Sequence, residues 1–222
     1  MRPFHTKILL GLLAAALAAG CTRDGYIAPN IYHEIPSVRQ LMSLRRVVLI
    51  ELKDETGQPR VAEDLTAALA QALQERGLFR VDVIDRHSPR LEGLVIDKLE
   101  PFTISELAKM ARQLNCDGVL IGRIRQFQPF PRMQMSVLLR LIDLRDGQLA
   151  WGVDEKWNSS DAIVEKRIKW YFRTQLRTGY DPATWELVTR SPMQFCRFVA
   201  YEMVGTLPVG HGRVAAGSSP RP

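Results

Sequence analysis

The order of hydrophobic patterns along the chain predicts an α/β fold, a single layered domain in which a mixed sheet is flanked by helices and followed by C-terminal helices. Three observations carry that reading. A β-branched run at residues 46–52 precedes a helical pattern at 61–76, the same alternation is repeated by residues 79–85 and 104–114, and three further strand-like runs then follow with no helix between them. Strand, helix, strand, helix and a meander is the order of a mixed sheet with helices packed against it.

Arg46-Val47-Val48-Leu49-Ile50-Glu51-Leu52 is aliphatic and bounded by Asp54-Glu55-Thr56-Gly57, the pattern of a central strand that ends in a turn. Val61, Leu65, Ala68, Leu69, Ala72 and Leu73 recur at intervals of three and four, and Gly77 supplies a helix stop. Phe79 to Asp85 alternates as a strand. Ile104, Leu107, Ala108, Ala111 and Leu114 set out a second amphipathic helix, with Thr103 and Glu106 spaced as a capping box. Gly118 to Ile124, Met133 to Asp143 and Gln148 to Trp157 read as strands, the last two joined through Asp146-Gly147 as a hairpin.

Beyond residue 160 two periods compete. Val164, Ile168, Phe172 and Leu176 fit a helix, whereas Ile168, Trp170 and Phe172 against Lys169, Tyr171 and Arg173 fit a strand; length and propensity favour the helix. Ser191-Pro192 opens a firmer helix over Met193 to Val204. Residues 208–222, rich in Gly, Ser, Pro and Ala, have little to bury and are expected to be a disordered tail.

The first residues follow different rules. Arg2 and Lys7 precede an apolar run from Ile8 to Ala19, too short to span hydrocarbon, and Ala18, Ala19 and Gly20 lead to Cys21. This is the make-up of a secretory signal peptide over residues 1–20. Leu17-Ala18-Ala19-Gly20-Cys21 resembles a bacterial lipobox, with leucine one place earlier than in the commonest pattern. The resemblance implies cleavage before Cys21 and acylation of its sulfur, so that the mature protein is held on a membrane through lipid; the alternative is an ordinary cut that leaves a plain thiol. Residues 21–45, with Pro29 and Pro36 and no sustained period, read as a tether, and the folded domain is expected over 46–207.

Charge and residue types exclude several functions. Loss of Arg2 and Lys7 takes Lys plus Arg from 30 to 28 against 24 acidic residues, so the net charge falls from +6 to +4, and no basic block marks a nucleic-acid footprint. His33, His87 and His211 fall in the tether, a turn and the tail, where no nucleophile could be given a positioned base. Cys116 and Cys196 have no His or Cys partner at metal spacing; they are either a disulfide pair or two small buried hydrophobes. Asp54 and Glu55 are a carboxylate pair better explained by turn chemistry than by catalysis. Neither a catalytic residue nor a metal, cofactor or small-molecule substrate is expected. The candidate contact region is the aromatic and basic cluster around Trp157, Arg167, Trp170, Tyr171 and Arg173, which reads equally as core or as interface.

The run Lys53-Asp54-Glu55-Thr56-Gly57-Gln58, then Gly77-Leu78-Phe79-Arg80-Val81, Cys116 to Ile124, Val137 to Leu149 and Ser191 to Cys196 follow one another in an order that resembles CsgG, the curli secretion-channel lipoprotein family, across most of residues 30–206. The resemblance implies the fold and the lipid anchor. Related lipoproteins with the periplasmic domain alone imply a non-enzymatic binding or assembly role in the cell envelope, through an envelope protein partner or self-association. Outer-membrane placement, facing the periplasm, is favoured because Thr22 follows the cysteine where aspartate is associated with inner-membrane retention. The alternative is a subunit of an oligomeric secretion channel. Residues 127–132 are too short for one of its two membrane hairpins, and the second would have to lie between Trp157 and Ser191 among costly basic residues.

Overall fold

The computed structural model describes residues 31–98, 101–176 and 184–209. The expected signal peptide, Cys21 and nearly all of the expected tail lie outside the described residues.

Seven strands form one mixed sheet: β1 (His33–Glu34), β2 (Arg46–Ile50), β3 (Lys53–Asp54), β4 (Arg80–Ile84), β5 (Gly118–Gln128), β6 (Gln134–Asp143) and β7 (Leu149–Asn158). Their order is β1-β7-β6-β5-β2-β4, with β3 continuing alongside β5. β2 is parallel to both β4 and β5, as the strand–helix–strand connections require, while β5, β6, β7 and β1 are antiparallel. The helices are α1 (Val38–Ser43), α2 (Pro59–Arg76), α3 (Ile104–Leu114), α4 (Ala162–Tyr171), α5 (Glu186–Arg190) and α6 (Pro192–Gly205).

Two cores lie on the two faces of the sheet. Leu65, Leu69 and Leu73 of α2, Ile168 of α4 and Phe195, Phe198 and Met203 of α6 cover one face, over Leu49, Val137, Leu139, Trp151 and Trp157. On the other face Leu107, Met110 and Leu114 of α3 cover Val48, Ile50, Val119 and Ile121. β2 is therefore buried on both faces, which explains its unbroken aliphatic sequence. β6 is covered on one face along most of its length, and its residues alternate buried and half-buried from Gln134 to Arg140.

Local chemistry ends the helices as the sequence predicts. Pro59 occupies the first turn of α2, and Gly77 closes it in the left-handed region at φ 69° with its N–H donating to Leu73 O. The Thr103 hydroxyl accepts from the Glu106 N–H while the Glu106 carboxylate accepts from the Thr103 N–H, completing the capping box of α3. Gly122 answers to a close approach: a β-carbon there would sit 2.6 Å from the Leu138 carbonyl oxygen.

One expectation changes and one open alternative is resolved toward the helix. The ordered body begins before Arg46, since β1 pairs with β7 and α1 buries Leu41, so residues 31–45 are part of the domain. Two strand residues and a six-residue helix are too short to show a period. The ambiguous stretch beyond residue 160 is helical: α4 runs to Tyr171 and continues as a wider turn over Phe172–Leu176, with Val164, Ile168 and Phe172 on the core. A membrane hairpin therefore does not occupy residues 162–176.

Candidate functional site

The five residues expected to form a contact surface are largely spent on the interior. Trp157, on β7, is fully buried, and its indole N–H donates to Glu202 Oε2 of α6 at 2.8 Å. Arg167, on α4, is also buried and pairs with the same oxygen at 3.2 Å. Tyr171 is buried between helices, its ring 5.1 Å from Tyr201 and 5.6 Å from Phe198. Only Trp170, half-buried beside Tyr201, and the exposed Arg173 approach the surface. Of the two readings, core or interface, packing takes most of the cluster, because Arg167, Trp170 and Tyr171 of α4 meet Phe198, Tyr201 and Glu202 of α6.

The Trp157–Arg167–Glu202 cluster joins the sheet, α4 and α6 through one carboxylate. Burial pushes the Glu202 carboxyl up to about 7; the Arg167 guanidinium and the Trp157 N–H act against that, and Glu155 adds to it. Arg167 Nε and Ser159 Oγ, both buried, find no hydrogen-bond partner among the described residues. Reading the sequence missed Glu202 altogether. Its signal is a glutamate inside the run Phe198 to Val204, whose other members are all apolar or aromatic.

The remaining candidates are engaged by the fold. Asp54 accepts from the Thr56 N–H at 2.8 Å and from its hydroxyl at 2.7 Å; burial raises its pKa, and these bonds outweigh that and hold it below the usual carboxylate range. Glu55 pairs with Arg123 at 2.8 Å. Arg86 and Lys53 meet Asp97 at 2.7 and 3.6 Å at the same end of the sheet. Cys116 and Cys196 are free thiols, one packed on each of the two cores and so kept apart by the sheet; burial pushes them up to about 11 and about 12. Reactive thiolates are not made in such surroundings. Glu51, Asp85 and His87, brought together from the ends of β2 and β4, place ligand atoms within 4.8 Å of one another. Glu51 and Asp85 there accept the N–H groups of Arg86 and His87, which ties the turn after β4 to β2.

Three of the exposed apolar residues, Phe130, Ile163 and Met193, lie at one end of the domain. β5 and β6 run beyond the parallel half of the sheet to a turn, Pro129-Phe130-Pro131-Arg132, that carries the exposed Phe130. An open groove of about 650 Å³ beside this turn is lined by Phe127, Pro129, the start of α2 and the start of α6, including Met193. The end of β7 is held at the same turn, since the Ser159 N–H donates to Met133 O, and the exposed Ile163 follows directly in α4.

No family model matches the chain. A stretch of 113 residues, 51% of this chain, is 29% identical to human codanin-1, and it spans 9% of that protein. Among solved structures the chain is similar to the PelC dodecamer from Paraburkholderia phytofirmans, at 15% identity over 61% of this chain and 86% of that one, with a TM-score of 0.43. It is also similar to lipoprotein GNA1162 from Neisseria meningitidis, at 16% identity over 53% and 86% with a TM-score of 0.39. For the LpoB C-terminal domain from Salmonella enterica the values are 19%, 55%, 93% and 0.36. Each likeness is partial, and no function follows from it.

Proposed function

We propose that the protein is a lipid-anchored, non-enzymatic binding or assembly factor of the bacterial cell envelope, carried on the periplasmic face of the outer membrane by lipid on Cys21. The observation that carries this is the stretch Leu17 to Cys21 behind a basic start and a short apolar run. The ordered sequence likeness to CsgG supports a domain that acts by docking on an envelope protein or on copies of itself. The groups that first suggested chemistry all have structural duties: Asp54 closes a turn, Glu55 holds Arg123, and both thiols are packed in apolar surroundings. A secretion channel is the weaker reading, because residues 162–176, part of the segment between Trp157 and Ser191 that would supply its second hairpin, form helix.

The deciding experiment is the mass of the mature protein taken from membranes of expressing cells, with fractionation of a Cys21→Ala form beside it. A lipid-sized increase on the N-terminal peptide, with the variant released or unprocessed, is the expected result. An unmodified Cys21 on a soluble protein overturns the anchor.

A further inference from the structure

The end of the domain that carries Phe130, Ile163 and Met193 coincides with the place where the N-terminal chain enters it. In β1, His33 lies opposite Val153 and Glu34 opposite Gly152; the Asp154 N–H donates to Tyr32 O, and the Tyr32 N–H donates to the Glu155 carboxylate. Followed backwards, the chain thus runs toward the C-terminal end of β7. In the sheet Asn158 is opposite Gln134, which is opposite Gln128, so that end is the one carrying the turn at Phe130. Phe130 is 81% exposed, Ile163 55% and Met193 45%. Arg60, Arg132 and Lys156 are exposed at the same end, as are Glu63 and Asp161, with Asp64 and Glu155 half-buried, so the charge there is mixed. Helices α2, α4 and α6 all start there, with their partly positive ends outward.

We infer that this end, with Phe130 at its tip, rests in the headgroup region of a phospholipid leaflet. The inference rests on the proposed lipid at Cys21. Residues 22–30 would span about 30 Å when fully extended, at about 3.3 Å each, so the anchor keeps this end of the domain within reach of the bilayer. An exposed aromatic at a projecting turn, with Arg132 beside it, is the kind of residue that settles at a membrane interface. The opposite end, where Gln40 of α1 holds Asp143 and Asp146 of the β6–β7 turn, faces away and remains available to a partner.

The test uses the acylated full chain in vesicles of phosphatidylglycerol and phosphatidylethanolamine with brominated acyl chains. Relative to the unsubstituted protein and its four tryptophans, the fluorescence added by Phe130→Trp is expected to be quenched at least twofold more than that added by Val38→Trp at the opposite end. Equal quenching at the two positions overturns the inference and leaves the lipid anchor standing. Independently, full-length mature Cys21→Ser protein should sediment with the same vesicles, and Phe130→Ser should weaken that several-fold with an unchanged circular dichroism spectrum. If Cys21 proves unmodified, the anchor reading fails and this sedimentation alone decides: a Phe130→Ser form that sediments like its parent overturns the membrane contact.

Discussion

Trp157, Arg167 and Glu202 stand far apart in sequence and share one carboxylate oxygen. Removing one member of a buried pair leaves the other charge without compensation, so Glu202→Ala is expected to destabilise the fold by about 3–5 kcal/mol in urea titrations. Replacing both Arg167 and Glu202 with methionine should restore most of that, because apolar packing often equals a buried ion pair. Stability should also carry the titration of Glu202. Its carboxyl is raised in the folded state, to about 7. Well below the ordinary carboxylate value the group is protonated in both states. As pH rises from there toward 7, the unfolded chain releases its proton and the folded chain does not, so stability falls, and it levels off above 7. The melting temperature of the unsubstituted protein should therefore drop between pH 5 and 8 more steeply than that of Glu202→Gln. Trp157 and Arg167 stood out in the sequence but their meeting at Glu202 did not, because periodicity shows that a position faces inward and not which charge meets it there.

The elements fared differently according to length. The capping box at Thr103 and the stop at Gly77 could be read residue by residue, because a cap is a contact between near neighbours. Thr103→Ala should cost about 1 kcal/mol in thermal unfolding. Gly122 looked only like a glycine within a strand, yet its backbone lies against the Leu138 carbonyl. Gly122→Ala is expected to cost about 1–3 kcal/mol, the usual penalty of overpacking, and to loosen the β5–β6 register in hydrogen exchange. β1 and α1 were hidden within a segment that reads as tether, for they draw their stability from Val153, Gly152 and the core around Leu41 rather than from a pattern of their own. Helix and strand were both admissible over Glu165 to Arg173, and packing of Ile168 and Phe172 against the core selected the helix.

At the scale of the whole molecule, the succession of patterns was enough to predict a mixed sheet with helices, and the strand order then followed from the two crossovers and the meander. The distribution of surface was not predictable in this way: the aromatic cluster that read equally as core or as interface is largely packed between α4 and α6, and an exposed aromatic, Phe130, stands at a turn that periodicity does not single out. The first strand of the sheet has its own mechanical meaning. A tension applied to the chain upstream of Ile31 is delivered to β1, which is held to β7 through two residue pairs at the sheet edge. That seam should yield well before the interior strands, releasing slack while the remaining sheet stays closed, and Glu34→Pro should lower the rupture force in single-molecule pulling with little change in equilibrium stability. The domain is thus built with a fuse between the chain that enters at Ile31 and its core.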